Sequence, residues 1–274
     1  MRCYGLDFTS APTAAKPITL AVGWFAEGLL RIENVLRVTT FKRFERCLAE
    51  PEEWIAGMDF PFGQPQQLIE DLSWPDSWSE CLDQVAAMTR REWEDLLLLY
   101  KAARPKGQKE LFRATDRVAG SQSPMKLVRA PVARMFYEGA TRLRRTTLSV
   151  QPCRPTSERR IVIEAYPALP ARRLIGHRSY KEDGKRSQTR HDARRDLVAA
   201  LTSERLAQLY GLRVEVGPFL AEEMVKDPSA DLVDAALSAV QASWAQSRRE
   251  ANFGMPPDCD PREGWIADPA GGLP

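Results

Sequence analysis

The sequence predicts an α/β protein, a mixed sheet flanked by helices and interrupted by a mostly helical insertion. Three observations carry this. The first forty residues hold three strand patterns joined by short turn-forming segments, later segments alternate helical spacing with short apolar runs, and three apolar runs end in a carboxylate. Those endings are "YGLDFTSAP" at 4–12, "WIAGMDFPFG" at 54–63 and "RRIVIEAYPAL" at 159–169, which set Asp7, Asp59 and Glu164 beside turn-forming residues.

Taken in order, "CYGLDFT", "PITLAVGWFA" and "GLLRIENVLRVTTF" read as strands, separated by the turn signals "SAPTAAK" and "EG". Three strands with such short connections suggest an antiparallel meander. "TTFKRFERCLAEPEEW" has helical spacing, with Phe41, Phe44 and Leu48 on one face, and "WIAGMDF" is the fourth strand. An insertion of mostly helical character follows over about 66–150. Within it, "SWSECLDQVAAMTRREWEDLLLLYKAA" predicts one or two helices starting near Ser77, where Ser77 and Glu80 fit a capping box. "KLVRAPVARMFYEGATRLRR" predicts another, interrupted or started by Pro131.

"RRIVIEAY" returns the chain to the sheet, and "SQTRHDARRDLVAAL" and "SERLAQLYG" read as helices. The closing helix, "ADLVDAALSAVQASWAQSRR", places Leu232, Ala236, Ala239 and Val240 along an inner stripe and Asp231 and Asp234 in its first turns. The tail "DPREGWIADPAGGLP" is turn-rich and suits an apposed strand. No internal repeat or low-complexity tract divides the chain, so a single domain over 1–274 is expected.

Composition narrows the function classes. A chain of 274 residues can bury a sizeable core, and 43% hydrophobic residues with 28% charged and a mean hydropathy of −0.39 exclude wholesale disorder. No run reaches the roughly 18 apolar residues needed to cross a bilayer, and "MRCYGLDFTS" lacks a secretory h-region, so no membrane partner and a cytoplasmic location are expected. Five scattered cysteines without a CxxC pair, and two histidines, give little material for a zinc site, a disulfide framework or a Ser-His-Asp triad. Charge is uneven: residues 45–95 hold three basic against thirteen acidic residues, and 142–195 fifteen against five. A basic stretch of this kind fits a nucleic-acid partner, or a face that packs near the acidic segment of the same chain. Oligomeric state is left open.

The carboxylates can be assembled. With the first strand central, Asp7, Asp59 and Glu164 would point toward one end of the sheet and Asp231 and Asp234 would arrive on the closing helix. Converging carboxylates repel unless a divalent cation neutralises them, and an all-oxygen set suits Mg or Mn, two of which could flank a phosphodiester in a two-ion site. A lone strand-end aspartate is more often a turn residue, and Asp231 and Asp234 also suit a helix N-terminus. The combination is what points to a site.

"GLDFTSAP", "IAGMDFPFG", "VIEAYPA", "SYK" and "DLVDAALSA" together resemble the motifs of the DUF429 family, regarded as predicted nucleases with an RNase H-like fold. The resemblance spans nearly the whole chain. "GLDF" is similar to the first-strand aspartate motif of that superfamily, "AGMDFPFG" to the fourth-strand acidic position of RuvC-type resolvases, "DLVDAALSA" to their closing-helix acidic pair, and "VIEAYP" to the late-strand acidic position of YqgF-type relatives. It implies a five-stranded sheet of order 3-2-1-4-5 and a metal-dependent nuclease. Asp7, Asp59, Glu164 and Asp234 would ligate Mg or Mn, with Asp231 as a further ligand or the group orienting water. Lys126, Arg129, Tyr180 and Lys181, in basic loops flanking the expected site, would contact phosphate. Two other readings stand beside it: a non-catalytic nucleic-acid or protein interaction module on the same fold, and a Mg-ATP-dependent phosphotransferase of that superfamily, against which "TSAPTAAK" offers no glycine for a phosphate-binding turn.

Overall fold

The computed structural model describes residues 1–182, 184 and 186–270. Its elements in chain order begin with β1 (Arg2–Asp7), β2 (Ile18–Ala26), β3 (Leu29–Val38), α1 (Phe41–Leu48) and β4 (Trp54–Asp59). The insertion supplies α2 (Gln66–Asp71), α3 (Trp78–Ala87), α4 (Arg90–Ala102), α5 (Ala114–Ala119) and α6 (Val132–Arg144). Then come β5 (Ser149–Gln151), β6 (Arg160–Glu164), α7 (Ala168–Ile175), α8 (Gln188–Leu201), α9 (Glu204–Tyr210), β7 (Arg213–Val216), α10 (Pro218–Lys226) and α11 (Asp231–Ser247).

The expected five strands are seven, in the order β5-β6-β4-β1-β2-β3-β7. β1, β2 and β3 form an antiparallel meander, while β4 and β6 run parallel to β1 on its other side. The two additional strands, β5 and β7, are the edges of the sheet and are three and four residues long. Runs so short carry too few alternations to register as a period. The tail makes one isolated bridge, Glu164 to Ile266, instead of a strand, and its last four residues, 271–274, lie outside the described residues.

Helices cover both faces of the sheet. On one, Cys3, Ala21, Ile55, Ile161 and Ile163 pack with α11 and with residues of α7 to α10. On the other, Leu6, Leu20, Ala56, Met58 and Val162 pack with Phe44 of α1 and with Trp78, Trp93 and Phe136 of the insertion. α3 and α4 are separate helices broken at Met88–Thr89. The cap at Ser77 accepts from Glu80 N at 3.2 Å, but the complete reciprocal capping box is the one formed by Thr89 and Glu92. Pro131 starts α6 rather than interrupting it. The acidic and basic segments meet through Glu45–Arg142 at 3.1 Å, Asp83–Arg144 at 2.8 Å and Glu53–Arg159 at 2.5 Å.

α11 is not the amphipathic helix that a stripe of Leu232, Ala236, Ala239 and Val240 predicts. Every residue from Leu232 to Ala245 is buried, so the helix is central and enclosed on all sides. It lies unusually close to the sheet. A Cβ on Gly5 would stand 2.0 Å from the carbonyl oxygen of Ala235, and one on Gly57 would stand 2.2 Å from that of Ser238. These glycines face each other in register on β1 and β4, and their missing side chains form the groove in which α11 sits. Gly5→Ala and Gly57→Ala each force the helix off the sheet, and urea unfolding is expected to show a loss of about 1–3 kcal/mol or more for either variant.

Candidate functional site

Asp7 and Asp59 are register partners at the carboxyl ends of β1 and β4. Side chains alternate along a strand, so both point to the face of Gly5 and Gly57, two residues earlier, and therefore toward α11. The first turn of α11 brings Asp231 and Asp234 to the same place. Neither is the helix cap: Asp227 accepts from Leu232 N at 3.0 Å and from the Ser229 hydroxyl at 2.7 Å, leaving the two aspartates free of that task.

Asp234 is nearly inaccessible. Its Oδ1 accepts from the Tyr180 hydroxyl at 2.9 Å, and its Oδ2 is ion-paired with the Lys181 ammonium. Both partners come from the segment after α7, which is held by the buried Arg194 of α8. Arg194 donates to Tyr180 O at 2.8 Å, to Val225 O at 3.0 Å and to Glu182 Oε1 at 3.1 Å. Tyr180 and Lys181, expected as phosphate contacts in a basic loop, thus stand inside the cluster of carboxylates.

The electrostatics follow from that crowding. Burial pushes the Asp7 carboxyl well up; Lys181 offsets it, and the neighbouring Asp234, Asp231 and Asp59 add to the rise. Asp59 is pushed up to about 7 by burial, again with Lys181 opposing and Asp234 and Glu164 adding. Asp231 is raised by burial against the pull of Lys181. Burial disfavours the Lys181 charge, yet Asp234 and Asp7 outweigh it and hold the ammonium well above the ordinary lysine range. The Tyr180 phenol stays protonated through burial and the adjacent Asp234.

Glu164 stands apart. Its register partner on β4 is Met58, so it faces the opposite side of the sheet from Asp59. There it is 2% exposed and bound by Arg113, with Nη2 to Oε1 at 2.6 Å and Nη1 to Oε2 at 2.8 Å, and Oε2 also accepts from Phe62 N at 2.9 Å. Arg113 completes its donors on Asp116 (Nε to Oδ2 at 3.0 Å, Nη2 to Oδ1 at 2.8 Å) and on the Glu263 carbonyl at 2.8 Å. This clamp ties the insertion to β6 and to the tail. The sequence showed only its strand-end glutamate, since Arg113 and Asp116 sit in "LFRATD", which has no distinguishing pattern. Lys126 and Arg129 are not brought to the cluster: Lys126 bonds Gln122, Arg129 is exposed, and among the described residues neither pairs with a carboxylate.

A cavity of about 240 Å³ opens between Asp59 and the Arg113–Glu164–Asp116 clamp, with Tyr166, Gln122, Val132 and Met135 also in its wall. Among the described residues, no three His, Cys, Asp or Glu side chains are disposed to hold a metal ion as they stand. Instead, the charge of one lysine acts on Asp7, Asp59, Asp231 and Asp234 together.

Fold and site define an α/β protein with a cage of carboxylates at the carboxyl edge of its parallel strands, where ligands of such sheets bind. The chain belongs to the DUF429 family, whose model, described as a protein of unknown function, matches residues 5–258. No curated protein and no solved structure matches it.

Two outcomes are expected. The folded-state value of Asp59, about 7, lies above its ordinary 3.8, so the native protein holds this proton more tightly than the unfolded chain. The resulting stabilisation is present at low pH and is lost as pH rises toward 7. Thermal melts in chelator from pH 5 to 8 should therefore fall more steeply for wild type than for Asp59→Asn. Arg113→Met strands two buried carboxylates and should cost roughly 3–5 kcal/mol in denaturant unfolding.

Proposed function

We propose that the protein is a divalent-metal-dependent phosphodiester hydrolase, a nuclease on an RNase H-like fold. The observation that carries the reading is the pairing of Asp7 with Asp59 on neighbouring parallel strands, joined by Asp231 and Asp234 from a helix seated on the same face. The neighbouring strands β3-β2-β1-β4-β6, with the first three antiparallel, support the fold assignment.

The donor set fits Mg or Mn. It is all oxygen, it gathers four carboxylates around a single lysine, and two of its members are held toward protonation by burial and by one another. Asp7, Asp59 and Asp234 would hold the metal, with Asp231 beside them; Glu164, committed to Arg113, is left out of the set. A bound divalent ion would supply charge neutralisation at the phosphate and a more acidic water. The chain's own groups do the rest. Tyr180 fixes the orientation of Asp234 through Oδ1, and Asp231, half-buried at the first turn of α11, would orient the attacking water and take its proton. The substrate class rests on the cage, because the basic segment answers several of its charges within the chain.

One observation favours a non-catalytic module: the ammonium of Lys181 already neutralises Asp234. The two readings separate on labelled single-stranded, duplex, hybrid and branched nucleic acids incubated with Mn²⁺ or Mg²⁺. Wild type should cleave at least one of them in a chelator-sensitive way, and Asp7→Asn should lose that cleavage while keeping its fold. Cleavage retained in the purified variant, or none by wild type on any substrate, would overturn the nuclease reading.

A further inference from the structure

We infer that Lys181 is a resident counter-cation of the carboxylate cage, which competes with the metal for it and withdraws when metal binds. The inference rests on the metal-site reading of Asp7, Asp59 and Asp234.

Four observations lead to it. The ammonium is ion-paired with Asp234, and its charge also acts on Asp7, Asp59 and Asp231. Ionised carboxylates gathered away from water are costly unless a cation answers them, and here a lysine does. The Lys181 side chain is 41% exposed, whereas that of Asp234 is 1% exposed, so the lysine reaches in from the surface. It can leave without opening the core. Its backbone has independent anchors, since Arg194 holds the Tyr180 carbonyl and Glu182 N donates to Pro228 O at 2.8 Å. The flexible four-carbon stem can therefore swing while the chain stays in place.

An ammonium and a divalent ion cannot share such a cage, because like charges at contact distance repel. Competition of this kind lowers the apparent metal affinity by the fraction of molecules in which the lysine has withdrawn. Arg113, the other cation set among buried carboxylates, offers a contrast. It is 1% exposed, with every donor bonded, and has no way out. Lys181 pairs with one carboxylate among the described residues, and its side chain is 41% exposed.

The test is calorimetric titration of the full chain with Mn²⁺, for wild type, Lys181→Gln and Lys181→Arg. Lys181→Gln should bind Mn²⁺ about tenfold more tightly or better, and Lys181→Arg, which keeps the charge, should show no such gain. Equal or weaker binding by Lys181→Gln overturns the inference while leaving the metal site standing. Absence of binding in all three proteins overturns the metal-site reading, and the inference with it. If Lys181→Gln does not fold alone, thermal melts with added Mn²⁺ decide: recovery of a cooperative transition is the expected result, and failure to recover overturns the proposal.

Discussion

The seating of α11 on two glycines is the constraint from which the site follows. Gly5 and Gly57 are partners on adjacent parallel strands, and only their lack of a Cβ lets the helix backbone reach van der Waals contact with the sheet. The helix contributes Ala235, Ser238 and Ala239 to the contact, so small residues meet on both sides. The same spacing fixes the chemistry. Asp7 and Asp59 stand two residues beyond the glycines, and Asp234 stands one residue before Ala235, so the contact that packs the core also sets how near the carboxylates come.

Two cations, a buried Arg113 and a part-exposed Lys181, then answer carboxylates at the carboxyl edge of β4 and β6, one for each face of the sheet. Arg113 satisfies Glu164 and Asp116 with its full complement of donors and locks the insertion against β6 and the tail. Lys181 meets a larger group of carboxylates with one ammonium, and burial still holds Asp7 and Asp59 toward protonation against its pull. A planar guanidinium with five fixed donors suits a permanent joint, and a single charge on a flexible stem suits an exchangeable one. The difference follows from the residue types alone, and it separates the structural carboxylates from those free to act.

Much of this was legible in the sequence, for reasons that can be stated. Asp7 and Asp59 end apolar runs, and Asp231 and Asp234 open a long helical pattern, so local periodicity locates each of them. Glu164 looks identical by that criterion, but its role depends on parity. It pairs with Met58 rather than Asp59, and the offset of a single residue turns it to the other face. Register between strands a hundred residues apart is tertiary information, as is the seating of Lys181 among four aspartates. The burial of α11 beyond its inner stripe was not legible for a related reason: its small residues look neutral in a periodicity count, yet they allow burial on every side. β5, β7, α7 and α10 carried too little pattern to be seen at all.

The uneven charge of the chain has a structural answer that bears on recognition. Glu45, Glu53 and Asp83 from the acidic segment pair with Arg142, Arg159 and Arg144 from the basic one, joining α1, the approach to β4 and α3 to α6 and the approach to β6. Arg142 and Arg144 belong to the insertion and are committed to its contacts with α1 and α3, while Arg159 joins the approaches to β4 and β6. A long anionic surface strip therefore has less free positive charge to meet than the sequence count implies. What remains beside the cage is local: the cavity next to Asp59, walled by Tyr166, Val132 and Met135 and edged by the polar Gln122. On the proposed reading, a wall that sets Tyr166, Val132 and Met135 beside the Arg113 clamp would discriminate by the shape and stacking of a single unit more than by tracking a backbone. On the same reading, selectivity would be set by the insertion, which supplies half of that wall, and the chemistry by the sheet ends and α11.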